Sequence, residues 1–317
     1  MSVNEPQKQN EVQSQENAQN SEPAAAQLLE LSLPGTRYAH SGEFNLVSWI
    51  SVLAIGLIPL FLTAVVYELA AHYIPLVIIS GLFTVGFGWI IGYSCGKAGR
   101  IMHVRNTFAV AFSAIIMSGF GIYFVWMARL AVFSEGAVIS ANPLAIWYLM
   151  QALIAEYTIE LGKGGSSGIP IAGNAHIVIW LIEAAIILFF SATNAKGTIN
   201  SGGYCESCQG WTGAAWNSPL LIAASPITAS ELKKQAEEGV VHLNVFEVLS
   251  EEIELGVYYV ISVQSCSCGE LSLLTISEVS FTEEKGKIKQ DAKDILENFA
   301  LKSSSLKALK ASSESAA

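Results

Sequence analysis

Four long apolar runs fill the first two-thirds of this chain, and about 20 apolar residues are what a helix needs to cross the hydrocarbon core of a bilayer. The first, residues 45–67, holds no Asp, Glu, Lys or Arg. A second lies at 73–93 between Glu68 and Lys97, and a third between Arg105 and Arg129. The fourth, 175–195, is interrupted by one charge, Glu183. The pattern predicts four spans in residues 43–197. Pro59 should bend the first helix without ending it, because neighbouring groups can satisfy the freed carbonyl. The chain is 52% hydrophobic and 14% charged, against about 25% charged in a soluble domain, so much of it meets lipid.

Charge sets the sidedness. The connection 95–106 carries Lys97, Arg100 and Arg105 and no acid, and Lys/Arg-rich loops stay in the cytoplasm. Both termini are then cytoplasmic in a cell membrane, and the loop 133–174 lies outside. Within that loop Asn142-Pro143 fits an N-cap followed by proline at the first helical position. An interfacial helix near 143–160 is predicted, with Trp147 and Tyr148 at the headgroup level, then a turn at 162–168. A fifth crossing there would move everything after it outside, and Glu156 and Glu160 count against it. Residues 1–42 are polar and acidic, without the basic start and apolar run of a signal peptide, and read as a disordered tail. Residues 303–317 read as a second tail.

Two features stand out within the apolar part. Ser80, Thr84, Gly88, Gly92 and Gly96 recur every fourth residue and form a groove that another backbone can approach closely. Packing against span one or three is the first reading, and a homodimer through the same five residues is the alternative. Glu183 is the second feature. A carboxylate at that depth costs a few kcal/mol on insertion scales, so it must be protonated, paired or turned to a polar interior. Arg129, His176, Ser113 and Ser118 are candidate partners, and Glu183, Arg129 and His176 make a candidate intramembrane polar site. It serves either as the proton or cation site of a small transporter or channel, or as a structural carboxyl that fixes helix register. The paired halves and broken helices common in transporters are not visible.

After Lys196 the composition becomes that of a soluble domain, and two cysteine pairs appear, Cys205-x-x-Cys208 and Cys266-x-Cys268. Glycines follow closely at Gly210 and Gly269. Such turns aim backbone N–H groups at thiolate sulfurs, and glycine tolerates the left-handed conformation involved. Four thiolates match a closed, tetrahedral zinc site. These residues resemble the cysteine knuckles of zinc ribbons, and no whole-chain family accompanies them. The resemblance implies Cys205, Cys208, Cys266 and Cys268 as ligands of a structural zinc. Two departures are plain: the second pair is C-x-C, and 57 residues (209–265) separate the pairs, where about 15–20 is common. An inserted subdomain is the expected explanation.

The predicted fold is therefore an α-helical membrane domain with four transmembrane helices, plus a C-terminal α+β zinc-ribbon-like soluble domain at 198–302. In that domain Thr228 or Ser230 caps a helix over 229–238, and a second helix covers 244–252. Strands follow at 256–263 and 269–281 with the C-x-C turn between them. Ile295, Leu296, Phe299 and Ala300 predict a closing helix over 290–302. A redox pair would use a C-x-x-C thiolate activated at a helix start, and structural disulfides would need an oxidising compartment. The net charge of −10 argues against nucleic acid as a partner, since no basic stripe is present, and against an anionic-lipid patch on the tail. No metalloprotease, nucleophile-elbow, phosphate-loop or dinucleotide motif occurs. The reading is a multi-pass membrane protein with a cytosolic zinc domain in a binding, assembly or regulatory role toward a cytosolic protein partner. A Glu183-centred transporter and a membrane thiol oxidoreductase are the alternatives.

Overall fold

Asparagines open two of the long helices. Asn45 accepts from Val47 N and Asn106 from Ala109 N, each at 2.9 Å, which satisfies N–H groups that the first turn cannot pair internally. In the computed structural model the described residues are 30–32, 37–74, 77–156, 159–161, 169–171, 173–223, 228–242, 246–249, 255–284 and 287–301. They fall into two units. Residues 40–201 form one, and residues 202 onward together with those up to 39 form the other.

The first unit is a bundle of α1 (Leu46–Tyr73), α2 (Val77–Ile101), α3 (Thr107–Phe133) and α5 (Ala175–Asn200), with the shorter α4 (Pro143–Glu156) beside α3. Among the described residues three helices, α1, α3 and α5, are long and apolar enough to cross a membrane. Four were expected. The second expected span is a 25-residue helix, α2, which is not among those three; Ser80, Gly81, Gly86, Gly88, Gly92, Ser94 and Gly96 lower the mean hydropathy of its part from residue 80 onward, which also carries Lys97 and Arg100. The helix α1 continues through Pro59 and past Tyr67 to Tyr73, so Glu68 is a buried helical residue and not the loop residue its charge suggested. Several hydroxyls inside the bundle bond carbonyls of their own helix. Ser113 Oγ donates to Ala109 O and Ser118 Oγ to Ala114 O, at 2.9 and 2.8 Å, an economy suited to a dry surrounding.

Gly88, Gly92 and Gly96 of the α2 groove pack on α5 of the same chain, which was not expected, while Thr84 of the same row bonds Tyr67 of α1, the expected span one. A methyl on Gly88 would come 2.8 Å from Ile187 O, and one on Gly92 would come 2.9 Å from Ser191 Cα and nearer still to its carbonyl oxygen. Only hydrogen fits there. Asn142 caps α4 through Leu144 N at 3.0 Å. That helix ends at Glu156, and Glu160 lies instead in β2 (Ile159–Leu161), antiparallel to β3 (Ile169–Ile171). The expected turn at 162–168 lies outside the described residues.

In the second unit, β4 (Tyr204–Cys205) and β5 (Gly210–Trp211) form a small hairpin. A larger antiparallel sheet runs β12–β11–β10–β7–β9, with β6 (Trp216–Asn217) also on β10. Its strands are β7 (Leu221–Ala223), β9 (Phe246–Val248), β10 (Gly256–Ser265), β11 (Ser272–Glu284) and β12 (Lys287–Leu301). Tyr259, Ile261 and Val263 alternate onto one face of β10 and meet Ile276 and Leu274 of β11. Leu232 and Ala236 of α6 (Ala229–Glu237) pack into that core.

Two expected helices are strands. Phe246–Val248, within the expected 244–252 helix, pairs with β7. The expected closing helix at 290–302 is β12, hydrogen-bonded along β11. Its helix-like spacing of apolar residues is reconciled by two irregularities. Ile276 faces Leu296 while Ser277 faces Asp294, and Leu274 faces Phe299. Each step places an extra β12 residue against β11, a bulge, and Asn298 takes φ +55° at the second. Both Ile295 and Leu296 are thereby buried. Residues 30–32, within the expected tail, form β1 (Glu30–Ser32) on β8 (Val240–His242). Arg37, also within the expected tail, bridges Phe299; residues 1–29, 33–36 and 302–317 lie outside the described residues.

Candidate metal centre and an intrabundle ion pair

The β10–β11 ladder runs to Ser265 and Ser272, whose hydroxyls are 3.0 Å apart. Six residues, 266–271, must then reverse the chain. Cys266 N donates to Leu271 O at 2.9 Å, Gly269 N to Cys266 O at 3.1 Å, and Leu271 N to Cys266 Sγ at 3.2 Å. Gly269 adopts φ +76°, as a knuckle turn requires. The first pair is built by the β4–β5 hairpin, where Cys205 faces Gly210. There the left-handed residue is Gln209, φ +50°, and not Gly210 as expected.

Thr212 brings the two turns together. Its N donates to Gly203 O at 2.8 Å, and its hydroxyl accepts from Gly203 N at 3.0 Å and donates to Gln264 Oε1 at 3.0 Å. Gly213 N adds a bond to Ser265 O at 2.9 Å. Tyr38, from the segment before α1, donates its hydroxyl to Tyr204 O at 3.0 Å and accepts from Tyr204 N at 2.9 Å. The 57 intervening residues are thus no separate subdomain. They are the sheet that returns the chain to the first knuckle.

All four sulfurs lie within 4.8 Å of one another, with Cys205 and Cys266 Sγ at 3.5 and 3.2 Å from Cys268 Sγ. Metal–sulfur bonds of about 2.3 Å in a tetrahedron imply sulfur separations of about 3.8 Å, so the cluster could hold a metal ion with small adjustments. Cys205 and Cys266 are buried, Cys208 partly so, and Cys268 is exposed. Crowding makes the thiols share protons. Cys208 is drawn down to about 6, chiefly by its hydrogen bond to Ser267 and then by Cys268 and Cys205. Cys268 is pushed up to about 12: Glu270 N–H favours its thiolate, but Cys266, Cys205 and Cys208 together outweigh it. Such a set gives up its last protons readily only to a cation. Cys95 is separate, buried within α2.

In the bundle the residue that sequence missed is Glu68. It is 2% exposed and receives Arg129 as a fork: Nε to Oε1 and Oε2 at 2.9 and 3.1 Å, and Nη2 to Oε2 at 2.9 Å. The guanidinium also lies 4.7 Å over the Trp126 ring. Glu183 and Arg129 line one small cavity. His176 is buried outside it, with Nδ1 3.1 Å from Gly173 O and its ring 5.8 Å from Trp180. Ser118 bonds Ser191 Oγ across α3 and α5 at 2.7 Å. The structure therefore joins Arg129 to Glu183 and leaves His176 apart. A signal for Glu68 did exist: spans one and three run parallel, and each ends on a solitary charge of opposite sign.

Apolar helices long enough to cross a membrane and a sheet unit bearing a four-cysteine cluster define the class of molecule. No family model, no curated protein and no solved structure matches the chain.

Proposed function

We propose that this is an integral membrane protein with four crossings, whose cytosolic module is fastened by a structural zinc ion and serves a cytosolic protein partner in binding, assembly or regulation. The observation that carries the reading is the convergence of four thiol sulfurs within 4.8 Å from two hairpins distant in sequence. Four sulfurs complete a tetrahedral shell and leave no vertex for water, which suits a scaffold and not hydrolysis. Soft thiolates favour zinc over the hard divalent cations.

The crossing number rests on parity. Glu30–Ser32 precedes every span and pairs with Val240–His242, which follows every span, and Tyr38 bonds Tyr204. Segments that share a sheet share a side of the membrane, so the chain between them crosses an even number of times. Three qualifying helices make an odd number, and α2, long enough at roughly 37 Å and packed antiparallel between its neighbours, supplies the fourth. The same parity disfavours a crossing by α4 alone. Lys97, Arg100, Arg105 and Lys196 lie toward the bundle end from which both chain ends leave, which supports a cytoplasmic module.

The test is metal analysis of the purified full-length protein. One zinc per chain is expected, with Cys205→Ser and Cys266→Ser each losing the metal and the sheet unit's cooperative unfolding. Metal-free protein with that unit fully folded overturns the reading. Sensitivity confined to one cysteine pair, cycling between thiol and disulfide, would favour the oxidoreductase alternative. A fragment beginning after α5 is unsuitable, because it lacks β1 and Tyr38.

A further inference from the structure

Among the described residues, Glu183 makes no ion pair of its own. Arg129, which shares its cavity, already gives Nε and Nη2 to Glu68. The cavity measures about 30 Å³ and is walled by Tyr67, Trp126, Arg129, Trp180 and Glu183 with aliphatic neighbours, room for one or two water-sized species. Glu68, itself outside the lining, neutralises Arg129, so an ionised Glu183 leaves the trio Glu68, Arg129 and Glu183 at a net charge of −1 in a medium where an uncompensated charge is expensive. Three aromatic side chains contribute to the wall, and Trp126 and Trp180 meet edge to face at 4.8 Å; aromatic faces attract cations.

We propose that this cavity binds one positive charge, as a proton on the Glu183 carboxylate or as a small monovalent cation beside it. Tyr67 from α1 and Arg129 from α3 are the charged or titratable groups that line the cavity with Glu183, Glu68 of α1 is paired with Arg129 outside the lining, and α2 contributes no lining residue. Tyr67 is engaged with Thr84 Oγ1 at 3.1 Å, and His176 on α5 lies outside the cavity. Glu183 is thus the group left to receive the charge. Proton uptake converts its carboxylate to a carboxylic acid and breaks no other bond. The site lies toward the ends of α1 and α3 that carry Glu68 and Arg129, away from Lys97 and Arg105.

The experiment uses the full-length protein in lipid nanodiscs, in a buffer whose only added cation is the bulky N-methylglucammonium. Ligands that bind the folded state raise Tm, so the wild-type Tm should fall by several degrees as pH rises and the bound proton leaves. Glu183→Gln, neutral throughout, should lack that portion of the profile. Sodium, potassium or ammonium chloride at alkaline pH separates the sources: recovery of the wild-type Tm, absent in Glu183→Gln, assigns a metal or ammonium cation, and no recovery assigns the proton. Infrared difference spectra give a second reading that survives if the glutamine variant does not fold. The C=O stretch of a protonated carboxyl should titrate in wild type, or vanish on cation addition. Identical profiles for wild type and Glu183→Gln, or neither carboxyl band nor cation response in wild type, overturn the proposal. None of these readouts depends on zinc.

Discussion

Glu68 and Arg129 illustrate how a single residue's surroundings decide its worth. Their side chains are 3% and 14% exposed, so water screens them little. Glu68→Gln should cost about 3–5 kcal/mol, because it leaves a guanidinium buried without its partner. The double change Glu68→Gln with Arg129→Gln should recover much of that, and equilibrium unfolding in mixed micelles measures both. The cysteines were legible in sequence because four thiols in two close pairs form a recognisable ligand set. Glu68 was not, because a charge at the edge of an apolar run reads as the end of a helix until its partner is placed. Tyr38 gave no signal at all: nothing local distinguishes a tyrosine that will clamp a knuckle from one in a tail.

Among the elements, close helix contact makes the sharpest forecast. Gly92→Ala forces α2 and α5 apart and should cost about 1–3 kcal/mol. Gly86→Ala, where an added methyl meets nothing within 4 Å, should be neutral or slightly stabilising through helix propensity. A thermal-shift comparison of the pair checks the groove. In the sheet unit, Thr228 and Glu231 form a capping box, and Thr228→Ala should cost about 1 kcal/mol. The carboxylate of Glu231 is held below its usual range by Thr228 N–H and then by the Thr228 hydroxyl. Its share of the stability is therefore present above the ordinary glutamate range and fades as pH falls through the lowered value, which urea titrations of wild type and variant at several pH values follow. Hydropathy made the long helices legible. It misread β12, since Ile295, Leu296, Phe299 and Ala300 repeat with a helical period and only bulges against β11 turn that pattern into a strand. Register irregularities are set by the partner strand, and a single strand's sequence does not announce them.

The molecule as a whole depends on a sheet assembled from both ends of the chain. Tags placed before Glu30 and after Leu301 should react with impermeant reagents from the same face of sealed vesicles. Opposite labelling would remove the parity behind four crossings. There is also a consequence for biogenesis. The strand made first must wait, unpaired, until synthesis has passed His242 some two hundred residues later. A chain threaded with a missing or surplus crossing leaves Glu30–Ser32 marooned across the bilayer, and the edge of Val240–His242 stays bare. On the four-crossing reading proposed above, insertion and completion of the module are coupled, because β1 and β8 meet only when the number of crossings between them is even.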